Sequence, residues 1–198
     1  MIPGILLILF FSIILHEVSH GYVAYLNGDD TAKRSRRLTL NPISHIDVFG
    51  SVLLPIFLLA VRSPFLIGWA KPVPFNPMNF KHRRLGLLTV AAAGPLTNLV
   101  LALFFAQILA RVSPSTQLSP LLLYGVSINV VLAIFNSIPI PPLDGSKMLA
   151  VFLPRSLQAV FLSLDRWGLV ILMLLLYTGM LHWVLVPLYT LALGALGI

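Results

Sequence analysis

The sequence predicts an all-α polytopic membrane protein with about 4–6 transmembrane helices, a re-entrant hairpin and a short β-ribbon near the cytoplasmic side. Three observations predict it. Of 198 residues, 58% are hydrophobic and 10% are charged, whereas soluble domains run near 45–50% apolar and about 25% charged. Long stretches carry no formal charge at all. The basic residues gather in the short segments between those stretches. With 13 Lys+Arg and 6 Asp+Glu, the chain has too few charges to coat a soluble domain, so a soluble enzyme is excluded. Pro 15 and Gly 13 are too few for a low-complexity or disordered chain. The net charge of +7 would suit nucleic acid. Its placement between apolar runs instead suits loops that face an anionic lipid bilayer, so no nucleic-acid partner is expected.

The elements follow in order. A span needs roughly 20 apolar residues. Met1 to Leu26 carries only Glu17 as a formal charge and forms the first. It has no basic flank and no small-residue cleavage site, so no cleavable signal peptide is expected. Val48 to Val61 is shorter, holds Pro55 and ends at Arg62. That length suits a re-entrant hairpin over 48–67 better than a crossing. Charge agrees: Lys33-Arg34-Ser35-Arg36-Arg37 and Lys81-His82-Arg83-Arg84 flank this segment. Both face the cytoplasm only if it dips in and returns. Residues 68–76, punctuated by Pro72 and Pro74, suit an edge strand or ribbon near the surface. Leu85 to Ala110 goes out, 121–138 comes back and 167–180 goes out again. A further helix, broken near Pro187, follows. No fixed-period repeat is visible, so residues 1–198 are one membrane domain, with its core over about 1–150 and additional helices over 155–198. Trp69, Trp167 and Trp183 suit interface anchors.

His16-Glu17-Val18-Ser19-His20 is an HExxH motif. On a helix, His at i and i+4 share one face, about 6 Å apart along the axis. Both imidazoles can then hold one Zn²⁺, and Glu17 can reach the open coordination position as a base. The flanks Ile13-Ile14-Leu15 and Gly21-Tyr22-Val23-Ala24 are membrane-like, where a Glu and two His are costly unless paired or functional. A catalytic zinc with two His needs a third protein ligand. There is no Cys, so it must be Asp, Glu or His. Asp29, Asp30 and Asp47 lie in the first polar loop, and Asp165 sits beside Arg166 at a helix start. Asp144 differs. It follows the proline-broken stretch Asn136 to Leu143 between apolar segments, and irregular backbone at membrane depth is tolerated where it lines a cavity. It suits a ligand. Leu143-Asp144-Gly145 equally suits an interfacial turn.

At this point the residues resemble a family. HExxH in the first helix, Asn136-Ser-Ile-Pro-Ile-Pro-Pro-Leu-Asp144-Gly145 in a later one, and Ala93-Gly94-Pro95-Leu96-Thr97-Asn98 between them resemble the site-2 protease family of intramembrane zinc metalloproteases. The stretches Leu38 to Asp47 and Gly68 to Pro74 look like its small members without PDZ or CBS domains. The resemblance covers most of residues 10–150. It implies one zinc per chain on His16, His20 and Asp144, with Glu17 as general base and acid. It implies that Asn136 helps hold the substrate backbone or the oxyanion, against a plain helix-packing hydrogen bond. The implied activity is hydrolysis of peptide bonds within or near transmembrane segments of membrane proteins or signal peptides. The implied location is a prokaryotic plasma membrane, multi-pass, with the site toward the cytoplasm.

Other polar residues carry two readings each. Asn98 suits a hydrogen bond between spans, where Gly94-Pro95 lets backbones approach. His45, with Asn41 and Asp47 nearby, is either a metal-proximal group gating the site or part of a capped loop that Asn41-Pro42 opens. His82 and His182 suit interfacial and structural roles. The 48–67 hairpin and the 68–76 ribbon are expected to hold an unwound substrate by β-addition. Two rival functions compete: a catalytically silent membrane metal scaffold, which would not need Glu17, and an ion or metal transporter, which would need polar groups across the whole membrane.

Overall fold

The structure is a computed structural model that describes residues 1–62 and 68–198. Every regular element among the described residues is helical. Four helices are long and apolar enough to cross a membrane: Ile2–Leu26, Arg83–Leu109, Ser119–Ser137 and Ser156–Tyr177. In chain order, α1 is Ile2–Leu26, α2 is Thr31–Arg34, α3 is Leu54–Ala60, α4 is Arg83–Leu109 and α5 is Ser119–Ser137. Then come α6 (Asp144–Ala150), α7 (Arg155–Ser163), α8 (Gly168–Tyr177) and α9 (Met180–Ala195).

The core is α1, α4 and α5, with α4 packed on both of the others. Six of the ten buried residues of α4 are small: Gly86, Ala91, Ala93, Gly94, Ala102 and Ala106. Lipid tails are as apolar as Leu, so helices in a membrane associate through close backbone approach rather than through burial of apolar surface. Across the interface the Phe105 ring lies on Gly125, where a Cβ would come within 2.7 Å of it. Val126 and Val130 are fully buried beside Ala102 and Ala106.

After α1 the chain turns at Gly28, whose φ of +104° lies in the left-handed region that favours glycine. A surface layer follows. Asp29 is fully buried and organises it. Its carboxylate accepts from Asn76 N at 2.7 Å, Asn79 Nδ2 at 2.7 Å and the Thr31 amide and hydroxyl. Burial pushes this carboxyl up, but the hydrogen bonds from Thr31, Asn76 and Asn79 outweigh it and hold it below the usual carboxylate value.

Two expectations are corrected here, and a third is described only in part. No β-ribbon exists among the described residues. The segment after Gly68 is extended but pairs with no strand. Prolines at 72 and 74 remove alternate donors. Three of the remaining N–H groups are taken, Trp69 by Gly50 O, Lys71 by His45 O and Val73 by Glu17. The expected 48–67 hairpin shows only its first arm, a π-helix over Val48–Leu53 that runs into α3; residues 63–67 lie outside the described residues. Finally, α9 is not broken at Pro187 but continues through it, as membrane helices tolerate. It is tied to α5 by Tyr189, whose hydroxyl donates to Ser127 Oγ at 2.9 Å.

Candidate metal centre

Three elements bring one buried cluster together. The i, i+4 spacing puts His16 and His20 on the inner face of α1, each 6% exposed. Their Nε2 atoms are 3.1 Å apart. Asp144 opens α6, and its Oδ2 lies 3.2 Å from His16 Nε2 and 3.1 Å from His20 Nε2. These are the residues whose ligand atoms converge as a possible metal site. A tetrahedral ion with bonds near 2.0 Å has ligand-to-ligand edges of about 3.3 Å. The three separations match that triangle, and two imidazoles with one carboxylate form a donor set that suits zinc.

Local sequence explains the convergence. Gly145 lets the start of α6 fold onto the end of α5, because a Cβ there would collide with the carbonyl oxygens of Ser137 and Ile138. Gly94 does the same for α4. A Cβ at Gly94 would stand 2.5 Å from the Nε2 of both His16 and His20, in the space toward which the ligand atoms point. The second oxygen of Asp144 accepts from Lys147 Nζ, one turn on, at 3.4 Å.

The far side of each imidazole is held by α4. Val90, Gly94 and Asn98 recur every four residues and so line one face. The carbonyl of Val90 lies 2.7 Å from His20 Nδ1, and Asn98 Oδ1 lies 2.6 Å from His16 Nδ1. Asn98 also reaches α5, its Nδ2 donating to Asn129 Oδ1 at 2.8 Å. Metal-bound histidines commonly carry such partners, which fix ring orientation and tautomer. Glu17, half-buried and next to the first His, accepts from the Val73 amide at 2.9 Å. The extended segment thus lies against Glu17, held in turn by Arg37, whose Nη2 donates to Lys71 O at 2.7 Å.

Other residues singled out from sequence lie elsewhere. His45 is buried, with its Nε2 donating to Thr39 O at 2.8 Å and its Nδ1 unpartnered; it does not join the cluster of His16, His20 and Asp144. Asn41 is exposed and accepts from Ile43 N, capping the short helical turn Pro42–His45. Asp47 caps the π-helix by accepting from Gly50 N at 2.7 Å. Asn136 turns back on its own helix and donates to Leu132 O at 3.0 Å. Sequence reasoning missed Ser12, Val73, Val90, Asn129 and Lys147. Two of these carried a signal. Ser12 is four residues before His16 on the same face, and Asn129 is an amide inside a charge-free helix.

No protein-family model matches the chain, and no solved structure does. Curated relatives do. The chain is 37% identical over 196 residues to Putative zinc metalloprotease YwhC of Bacillus subtilis (strain 168), covering 94% of this chain and 86% of that one. It is 30% identical over 185 residues to Putative zinc metalloprotease Rip2 of Mycobacterium tuberculosis (strain H37Rv), covering 87% and 69%. It is 29% identical over 174 residues to the Rip2 of Mycolicibacterium smegmatis, covering 86% and 65%. Buried metal-type ligands on a bundle of membrane-length helices accompany these likenesses, and the chain belongs to the zinc metalloprotease family that includes YwhC and Rip2.

Proposed function

We propose that this chain is an intramembrane metalloprotease of the site-2 type, with one zinc per chain on His16, His20 and Asp144 and with Glu17 as general base and acid. The observation that carries the proposal is the buried triangle of Nε2, Nε2 and Oδ2 at 3.1–3.2 Å inside a bundle of membrane-length helices. His16 lies about 21 Å from the start of α1 at 1.5 Å per residue, well within a hydrocarbon core of about 30 Å. That depth supports substrates that are themselves membrane segments of proteins or signal peptides. A closed helix hides its carbonyls, so such a segment must partly unwind to be cut. The basic residues that follow α1 favour the cytoplasmic side of a prokaryotic plasma membrane for the nearer end.

When bound, zinc supplies Lewis acidity, polarising the scissile carbonyl and lowering the pKa of water. Glu17 takes the proton of the attacking water and delivers it to the leaving amine. The Val73 amide donates to the Glu17 carboxylate and orients it. Asn136, in the last turn of α5, is the amide assigned to steady the substrate backbone or developing negative charge.

The test is zinc content and cleavage of a membrane-segment substrate, measured on wild type, Asp144→Ala and Glu17→Gln. The expected pattern is about one zinc in wild type and in Glu17→Gln, none in Asp144→Ala, and cleavage by wild type only. Zinc retained by Asp144→Ala would break the ligand assignment. Zinc without cleavage by wild type across many membrane-segment substrates would favour a silent scaffold.

A further inference from the structure

Behind His16 a chain of buried side chains crosses the whole helical core. Asn98 and Asn129 are fully buried, and Ser12 is 2% exposed. His16 Nδ1 meets Asn98 Oδ1 at 2.6 Å, and Asn98 Nδ2 meets Asn129 Oδ1 at 2.8 Å. Asn129 Nδ2 then donates twice, to Ser12 Oγ at 2.9 Å and to the backbone carbonyl of Gly125 at 2.8 Å. The path starts on α1, passes through α4 and α5, and returns to α1 one turn before the histidine.

The direction of this chain is dictated at its far end. A backbone carbonyl can only accept. The side-chain atom of Asn129 that faces Gly125 O must therefore be the NH₂ group, which turns its oxygen toward Asn98. Asn98 must then offer its NH₂ to Asn129 and its oxygen to His16. An oxygen facing His16 Nδ1 requires that nitrogen to carry the hydrogen. His16 Nε2 is left with its lone pair aimed at the point where the ligand atoms converge. The Val90 carbonyl dictates the same arrangement for His20 in a single step.

We propose that Asn129, which does not contact the ligand cluster, is a positioning residue for metal binding. It locks the amide of Asn98, and through it the tautomer of His16. This rests on the metal-site reading above. Without Asn129 the Asn98 amide is free to turn its NH₂ toward His16, and the imidazole then presents a hydrogen where a lone pair is required. Loss of an outer partner of a metal-bound His typically costs 10–100-fold in metal affinity.

The experiment measures zinc affinity of the full chain in detergent, by competition with a chromophoric chelator. The proteins are wild type, Asn129→Leu, Asn98→Asp and the double variant. Asn129→Leu should weaken zinc binding about tenfold or more. Asn98→Asp keeps an acceptor toward His16 whichever way it turns, although its other oxygen then faces Asn129 Oδ1, so it serves as the reference background, whatever its own affinity. In that background the added Asn129→Leu change should cost less than about threefold, since a carboxylate has no donor end to turn. An equal loss in both backgrounds would mean that Asn129 acts through packing and would overturn the proposal, as would an unaltered affinity in Asn129→Leu. A second measurement needs no variant. ¹⁵N-histidine spectra of the metal-free wild type should show a hydrogen on His16 Nδ1, whatever Nε2 carries beside Asp144; a bare Nδ1 would sink the idea. Wild type that binds no zinc would fail the metal-site reading instead, which the spectra keep separate from the relay.

Discussion

Two helical stretches of this chain are almost equally apolar and are used in opposite ways. In Arg83–Leu109, 44% of the most apolar window is buried within the protein, against 6% in Ser156–Tyr177. Hydrophobicity therefore marks both as membrane segments and says nothing about which one is interior. Side-chain size and scattered amides make the difference. Buried α4 carries Gly86, Ala91, Ala93, Gly94, Asn98, Ala102 and Ala106. In contrast, α8 is Gly-Leu-Val-Ile-Leu-Met-Leu-Leu-Leu-Tyr, with only Gly168 buried. Small residues let backbones approach, and an amide in an apolar helix must find a partner on a neighbouring helix. Large aliphatic side chains are equally content against lipid.

The sharpest way to break this contrast is at Gly94. Gly94→Ala puts a methyl group against both Nε2 atoms and should lower zinc affinity by roughly 100-fold or more, read by metal analysis of the purified variant. Unchanged zinc would mean that α4 does not form the wall of the site. A smaller effect separates the two stretches by stability alone. Ala102→Leu, at a position 1% exposed, overpacks the interface of α4 and α5 and should cost about 1–3 kcal/mol. Leu174→Ala, at a position 61% exposed on α8, should stay within about 0.5 kcal/mol. Reversible unfolding in mixed micelles measures both, and similar losses would erase the distinction. The smallest effect belongs to the tie between α9 and α5. Tyr189→Phe removes the hydrogen bond to Ser127 and should cost about 0.6 kcal/mol, the average for such bonds between membrane helices. A much larger loss would show the C-terminal helices to be part of the core.

The ribbon shows where reading by pattern fails. Alternating prolines at 72 and 74 do force extended backbone. Whether extended backbone becomes a strand depends on a partner that no local pattern reveals. Here three of the donors go to the carbonyls of Gly50 and His45 and to Glu17. The same reasoning applies to Pro187. A proline inside a soluble helix costs about 3 kcal/mol, but the surroundings of α9 decide whether the helix breaks, and it does not. Asp29 makes the point from the other direction. It looks like an ordinary loop acid, yet four donors from Thr31, Asn76 and Asn79 make it the buried centre of the surface layer.

The sequence by itself determined the helical membrane class, because composition and charge-free length depend on no contact. It also determined that His16 and His20 share a face, because helical periodicity is local. The candidate role of Asp144 came from residue order and family likeness. Tertiary structure alone decided that the Asp144 carboxylate meets both imidazoles from more than a hundred residues away. It alone decided that Gly94 leaves the space between them, and that Asn98 and Asn129 join His16 to a backbone carbonyl on α5. Those arrangements depend on how three helices cross. A crossing is fixed by the fit of small residues on facing helices, so it cannot be read from any one of them.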